Sequence, residues 1–494
     1  MPIHDLPQHI LSDILLCIVQ SDIQTISEPI GEPISIDPQA LSPWNLAAVS
    51  KLWRETCEDC SRLWTYITLQ NHRCIIPAES KADLENLQSQ GEYTCVNGLG
   101  LLRIYLQLDR SKSAPLNVHL HIPDNFSSDC ARFMLTAASS HSARWGTLKI
   151  NDSAAEHGIE FLHLPQLTTL SYHGMDDYLY IPQSLTSLTH VRLDEFYGRP
   201  LQGLVRTVRL PFPQLVTVSL CNYVGTISTV LEMMAACTSL HSFHLQMILE
   251  ESTAPPEDIA YPQGGIVLEY LTHLEVNING VLHEEPDTLI FNGVLPMLLP
   301  RIRAPKLSVL MLSIPTMDTP DTDVLKDFVD RSRCIITTAD IHTTFRKPIN
   351  NTLRSLPQVE DLKVFCNTTP SGIFLPEPLG YSCSDLTFML VGRDGTMTNV
   401  LPKLRRLTIS NLQFDPALLI RIVESRMAES QETNGQQEVV RLEELNIDYF
   451  SAQENPVLRL YRTVLWERLS KYESSGFRLR FDSARRSRID DVFL

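Results

Sequence analysis

The chain has 494 residues, of which 43% are hydrophobic and 20% charged, a composition that suits a folded globular protein and excludes wholesale disorder. That length exceeds one compact core, and a small domain joined to a repeat array accommodates it. A formal net charge of −17 argues against a phosphate-binding surface for nucleic acid or anionic membrane, and leaves open a basic or uncharged protein partner.

Eleven cysteines are scattered without the spacing of a disulfide framework, which suits a reducing compartment. The first residues carry Asp5 and Asp13 and no basic segment, so they do not read as a signal peptide. No apolar run approaches the roughly 20 residues that cross a bilayer. The expectation is an intracellular protein, cytoplasmic or nuclear, without membrane or nucleic-acid contact.

In chain order, Leu6, Ile10, Leu11, Ile14, Leu15 and Ile18 recur at helical spacing and form an apolar stripe. Asp5 is placed to cap that helix, and Pro7 falls in its first turn, where a missing N–H costs nothing. Prolines and a glycine between Glu28 and Pro38 predict a loop. A second amphipathic stretch after Pro43 carries Trp44, Leu46, Ala47, Val49, Leu52 and Trp53, followed by Leu63, Trp64 and Ile67.

Three ordered elements here resemble the F-box family: Leu6-Pro7 with the pairs Ile10-Leu11 and Ile14-Leu15, then Val49 to Trp53-Arg54, then Leu63-Trp64. The insertion at about residues 21–42 departs from the average of that family and is similar to inserts of fungal F-box proteins. The resemblance implies docking on the Skp adaptor of a cullin–RING ubiquitin ligase core. It makes Leu6, Pro7, Ile10, Leu11, Ile14 and Leu15 candidate adaptor contacts. Trp53 and Trp64 join that set, or else close the core of the module as large aromatics commonly do.

Beyond residue 110 a pattern recurs of an aliphatic, two variable residues, an aliphatic, one variable residue and an aliphatic. It is read at Leu167, Leu188, Leu215, Leu240, Leu271, Leu307, Val359, Leu404 and Leu442, with a variant opening at Trp145. Early copies lie roughly 21 to 27 residues apart and later ones roughly 30 to 50. Each copy predicts a short parallel strand whose alternating aliphatics enter a core shared with its neighbours. Helical returns are expected at Thr226–Cys237, Asp321–Arg331 and from Asp415-Pro416 onward. The pattern resembles leucine-rich repeats, although only Asn279 and Asn367 occupy the position of that family's turn asparagine. A twisted α/β sheet is the alternative. Interruptions at Glu250–Gly265, Leu282–Leu299 and Cys366–Val400 read as long loops. A closing strand is expected where Phe477, Leu479 and Phe481 alternate with Arg478 and Arg480, ahead of the basic cluster Arg485, Arg486 and Arg488.

Catalytic and metal motifs are weak. Cys57 and Cys60 with His72 and Cys74 have zinc-like residue types but fall inside the helical module. His119 and His121 alternate with aliphatics and are expected on the outward face of a strand starting near Leu116. Phosphate loops, nucleophile elbows and dinucleotide fingerprints are missing from the sequence, so neither enzyme activity nor a cofactor is expected.

The expected fold class is α/β: a small N-terminal helical F-box at 1–75, a linker and helix at 76–110, and at 111–494 an irregular leucine-rich-repeat-like solenoid with a parallel sheet and helical returns. The resemblances imply a substrate-recognition adaptor of a Skp–cullin–F-box ligase whose repeats bind an unnamed protein substrate. The alternative is a repeat-based interaction scaffold without ligase linkage.

Overall fold

A computed structural model describes residues 6–27, 43–68, 98–120, 128–151, 163–174, 185–195, 197–198, 210–249, 265–280, 294–314, 319–343, 350–366, 401–410, 416–427, 439–449 and 456–483. The chain forms two compact units, Met1–Pro211 and Phe212–Leu494. Among the described residues no helix is long and apolar enough to cross a membrane.

The first unit opens with helices α1 (Gln8–Ser27), α2 (Trp44–Val49) and α3 (Lys51–Asp59), then a 3-10 turn at Ser61–Trp64. Ser50 separates α2 from α3 because it is extended (φ −157°, ψ 169°), and its hydroxyl oxygen accepts the Trp53 N–H at 3.2 Å as an N-cap. These short elements share one core of Leu11, Leu15, Val19, Leu46, Ala47, Cys57, Leu63 and Trp64. The Trp64 indole N–H donates to the Cys57 carbonyl at 2.6 Å, which makes a buried tryptophan tolerable. Asp5 and the loop expected at 28–38 lie outside the described residues.

Ile67, grouped in sequence with the module, instead belongs to strand β1 (Tyr66–Thr68), which starts the sheet. Its β-branched side chain is fully buried beside Val118 of the next strand. Helix α4 (Gly98–Arg110) leads to β2 (Leu116–Leu120), and α5 (Ser128–Ser139) leads to β3 (Trp145–Asn151). β4 (Thr169–His173), β5 (His190–Asp194) and the two-residue β6 (Tyr197–Gly198) complete this unit. β1 to β5 pair in parallel in chain order. The register aligns Val118, Leu148, Leu170 and Val191 in one buried row and Leu120, Ile150, Tyr172 and Leu193 in the next. His119 does lie on the opposite face, but half-buried, with its Nδ1 3.2 Å from the Tyr66 hydroxyl. His121 is outside the described residues.

The second unit repeats this logic. Its main sheet runs β7 (Thr217–Gly225), β8 (Ser242–Leu249), β10 (His273–Gly280), β12 (Val309–Ile314), β13 (Thr338–Thr343), β14 (Asp361–Cys366), β15 (Arg406–Ser410), β16 (Glu444–Tyr449) and β17 (Arg478–Ser483). Every neighbouring pair is parallel. The short strands β9 (Ile266–Val267) and β11 (Ile302–Arg303) form a separate pair. The returns include α6 (Ile227–Ala236), α7 (Val294–Leu298), α8 (Thr319–Ser332), α9 (Asn350–Arg354), α10 (Pro416–Met427) and α11 (Pro456–Leu469). The three returns read from sequence as helices are α6, α8 and α10. Thr226 caps α6, its side-chain oxygen accepting the Thr229 N–H at 3.3 Å.

Two corrections concern interruptions and turns. The segment read as a loop at Leu282–Leu299 ends in α7, whose Val294, Leu295 and Leu298 are buried, and residues 281–293 lie outside the described set. Asn279, read at a turn position, lies inside β10. At the strand entries hydroxyls add to the backbone bonds. Thr168 donates to the Gly146 carbonyl at 3.0 Å and Thr189 to the Thr168 carbonyl at 3.3 Å. In the second unit Thr272 donates to His241 (3.1 Å), Ser308 to Thr272 (3.4 Å) and Thr337 to Ser308 (3.4 Å). Arginines donate to carbonyls from the helical side, half-buried Arg331 to Leu299 at 2.6 Å and buried Arg426 to Leu401 at 2.9 Å.

Candidate protein-interaction surface

Helix α1 has two apolar edges, and packing decides which one turns inward. Leu11, Leu15 and Val19, spaced by four residues, face the module core and are buried. About 100° around the helix, Ile10 and Ile14, each 38% exposed, form an exposed stripe with Cys17, and Pro7 is exposed just before the helix starts. Gln8 fixes the start of this helix by donating from its side-chain amide to Asp59 at 3.0 Å.

The eight residues read from sequence as contacts therefore divide. Pro7, Ile10 and Ile14 are exposed, Leu6 is half-buried, and Trp53 is half-buried against the core. Leu11, Leu15 and Trp64 are fully buried and have no surface to offer a partner. Trp64 meets Trp44 edge-on, with ring centroids 4.9 Å apart at 78°.

Sequence reasoning missed α4 as a surface. Its Ile104 and Leu108 are buried while Leu102, Tyr105 and Leu106 are exposed, and the signal was their own spacing of three and four residues. The helix is anchored through its last residue. The Arg110 guanidinium sits 4.5 Å from the Trp64 ring centre and 5.4 Å from that of Trp44, and it pairs with Glu58 at 3.0 Å. Gln107 also donates to the Tyr66 carbonyl.

The chemistry of this region is that of packing. Burial, reinforced by Cys60 and opposed by Arg110, pushes the Cys57 thiol up to about 11, so it holds its proton at neutral pH. Among the described residues no three His, Cys, Asp or Glu side chains are grouped to hold a metal ion, and His72 and Cys74 lie outside them. What the module presents is an apolar helix edge beside a closed core.

In the second unit the outward face of the sheet offers a different surface, made of the variable residues between the strand aliphatics. It carries paired charges, with Arg406 to Asp361 at 3.0 Å and Arg478 to Glu444 at 3.4 Å. It also carries an aromatic contact, His342 stacked on Phe365 at 4.7 Å. Compared with models of known protein families and with curated proteins, the chain matches none. Any functional assignment is left to the geometry of these two surfaces.

Proposed function

We propose that this chain is a substrate-recognition adaptor of a Skp–cullin–F-box ubiquitin ligase, with its helical module docking on the Skp adaptor and its repeats holding a protein substrate. One observation carries the reading: Pro7, Ile10, Ile14 and Cys17 stay exposed beside a core that Leu11, Leu15 and Trp64 have already closed. An exposed apolar helix edge is suited to lying in an apolar groove of another protein. Bond-making in this reading belongs to other subunits, and the chain supplies proximity and orientation of a substrate lysine, without a cofactor. The outward sheet face, with its varied polar side chains, is the surface assigned to substrate.

A second reading is favoured by α4 and β1. Arg110 ties α4 to Trp44, Trp64 and Glu58, and β1 follows the module directly into the sheet. The module then serves as the N-terminal cap of a repeat scaffold with no ligase linkage.

Co-purification separates the two. The full chain and an Ile10→Asp/Ile14→Asp double variant are each co-expressed with a Skp adaptor. The adaptor reading expects the parent chain to retain it and the double variant to lose it with unchanged melting, because the new carboxylates would be desolvated in the contact. A folded parent chain that leaves the Skp adaptor behind rejects the adaptor reading in favour of the scaffold.

A further inference from the structure

The turns that lead into β12, β13, β14 and β15 stand side by side along one rim of the second unit. Three of them are built alike: the Leu307, Val359 and Leu404 N–H groups donate to the Ala304, Leu356 and Leu401 carbonyls, with Pro305, Pro357 and Pro402 second in each turn. Backbone bonds from Thr337 to Ser308, from Glu360 to Thr337 and from Arg405 to Glu360 set the register of the turns. Lys306, Ile335, Gln358 and Lys403 each fall two residues before these bonded positions and so form one row. Neighbouring strands lie about 4.8 Å apart, and three steps carry the row over roughly 15 Å.

Between the turns into β13 and β14 lies a solvent-open groove of about 320 Å³, lined by Cys334, Ile336, Leu356 and Pro357 together with Arg333 and Asp330. Ile335 stands beside it 62% exposed, more than any other large hydrophobic residue among those described. Four exposed cations surround the groove, Lys306, Arg333, Arg354 and Lys403. Among the described residues no carboxylate pairs with any of the four. The nearby anions are Asp330 and Glu360, and Arg405 already holds Glu360 at 3.6 Å. In a chain of net charge −17 this rim is locally positive.

Arg333 follows helix α8 at φ +54°, the left-handed position where a helix end favours glycine. Its N–H donates to the Val329 carbonyl at 2.8 Å, a bond that glycine would make equally well. An arginine there costs the backbone something that glycine would not, which directs attention to its side chain.

We propose that this rim groove binds a short acidic segment of a partner protein, with one aliphatic side chain in the groove and carboxylates meeting Lys306, Arg333 and Lys403. The row has the length of about five extended residues. An aliphatic side chain seated between the turns covers Ile335 and the apolar lining, the kind of contact that forms the centre of an interface. The guanidinium of Arg333 suits a carboxylate because its fork donates two parallel bonds. A basic segment would bring like charges together. This surface is separate from the outward sheet face, and the inference stands whether or not the helical module docks a Skp adaptor.

The test titrates the full chain into fluorescein-labelled peptides and reads their anisotropy. One peptide is a short run of Asp and Glu with leucine at its centre. The second has alanine at the centre, and the third keeps the leucine but has Lys in place of the acids. The leucine-centred acidic peptide is expected to bind, the alanine peptide about tenfold more weakly, and the lysine peptide not at all. Ile335→Asp is expected to weaken the first peptide about tenfold, and its exposed position lets the variant fold. Arg333→Gly is expected to weaken it about tenfold while melting no lower than the parent chain, because that backbone position favours glycine. Failure of the leucine-centred acidic peptide to bind the parent chain overturns the proposal. So does equal binding of the alanine or lysine peptide, or unchanged binding in both variants.

Discussion

His244 is a core-depth histidine on a surface face, and its charge is a stability term that depends on pH. Burial works against the imidazolium, while Cys221 and Glu275 raise it from 6.5 to about 9 in the folded chain. A raised value means the folded state binds the proton more tightly than the unfolded one. The stabilisation is therefore complete below 6.5 and is lost as pH rises through about 9. The parent chain is expected to lose melting temperature between about pH 7 and about pH 10 more steeply than His244→Gln, which has no such proton to lose. Parallel melting curves for the two chains across that interval would sink this assignment. Residue identity alone could not have revealed this charged pair: His244 occupies an ordinary variable position, and Glu275 meets it only through the register of β8 with β10. The strand aliphatics were legible for the opposite reason. Leu407 and Leu445 repeat a spacing that one geometry explains, and they occupy one buried row. The edge of α1 was half legible, since Leu11 and Ile10 are both aliphatic and only the packed α2 and α3 decide between them.

At the scale of elements, short pieces with large partners were the hardest to read. β1 has three residues, too few for a period to declare itself, and its parallel partner β2 begins about fifty residues later at Leu116. β13 was passed over because Ala339 stands where the other copies carry a larger aliphatic, yet it pairs with Leu310 and Leu362 in full register. That hidden copy also explains part of the long spacing between Leu307 and Val359. Helix α4 was legible as a helix but not as a brace, because Arg110 meets Trp44 and Trp64 only in three dimensions. Arg110→Ala takes the cation from Trp64, leaves Trp44 with Arg103 only, and leaves Glu58 without this partner. A loss of about 1–2 kcal/mol is expected from the partly buried aromatic contacts, since the exposed carboxylate pair contributes little. Urea denaturation with unchanged slope checks this, and a midpoint matching the parent chain would show that Arg110 does not help to hold α4.

In the molecule as a whole, the second unit must end its sheet somewhere, because a stacked array leaves its last aliphatic row uncovered. β17 covers that row. Leu479 pairs with Leu445 and Phe481 with Ile447, and Phe477 is buried at the strand entry. The outward residues Arg478 and Arg480 are both exposed and both reach Glu444, each at 3.4 Å. Charge along a terminal strand also discourages another chain from adding to the open edge. The alternation of three apolar residues with two arginines made this strand legible in sequence. The reach of the arginines to Glu444 was not, because it depends on register. Ending the chain before Gly476 strips the cover from Leu445 and Ile447 and leaves Glu444 without either cation. That truncation is expected to lower the melting temperature and to aggregate, as uncovered β-rich apolar rows do. Ending it after Ser483 keeps the whole of β17 and is expected to match the parent chain in both measurements. Light scattering and thermal melting of the two truncated chains separate the cases, and identical behaviour of both with the parent would mean that β17 does not close the sheet.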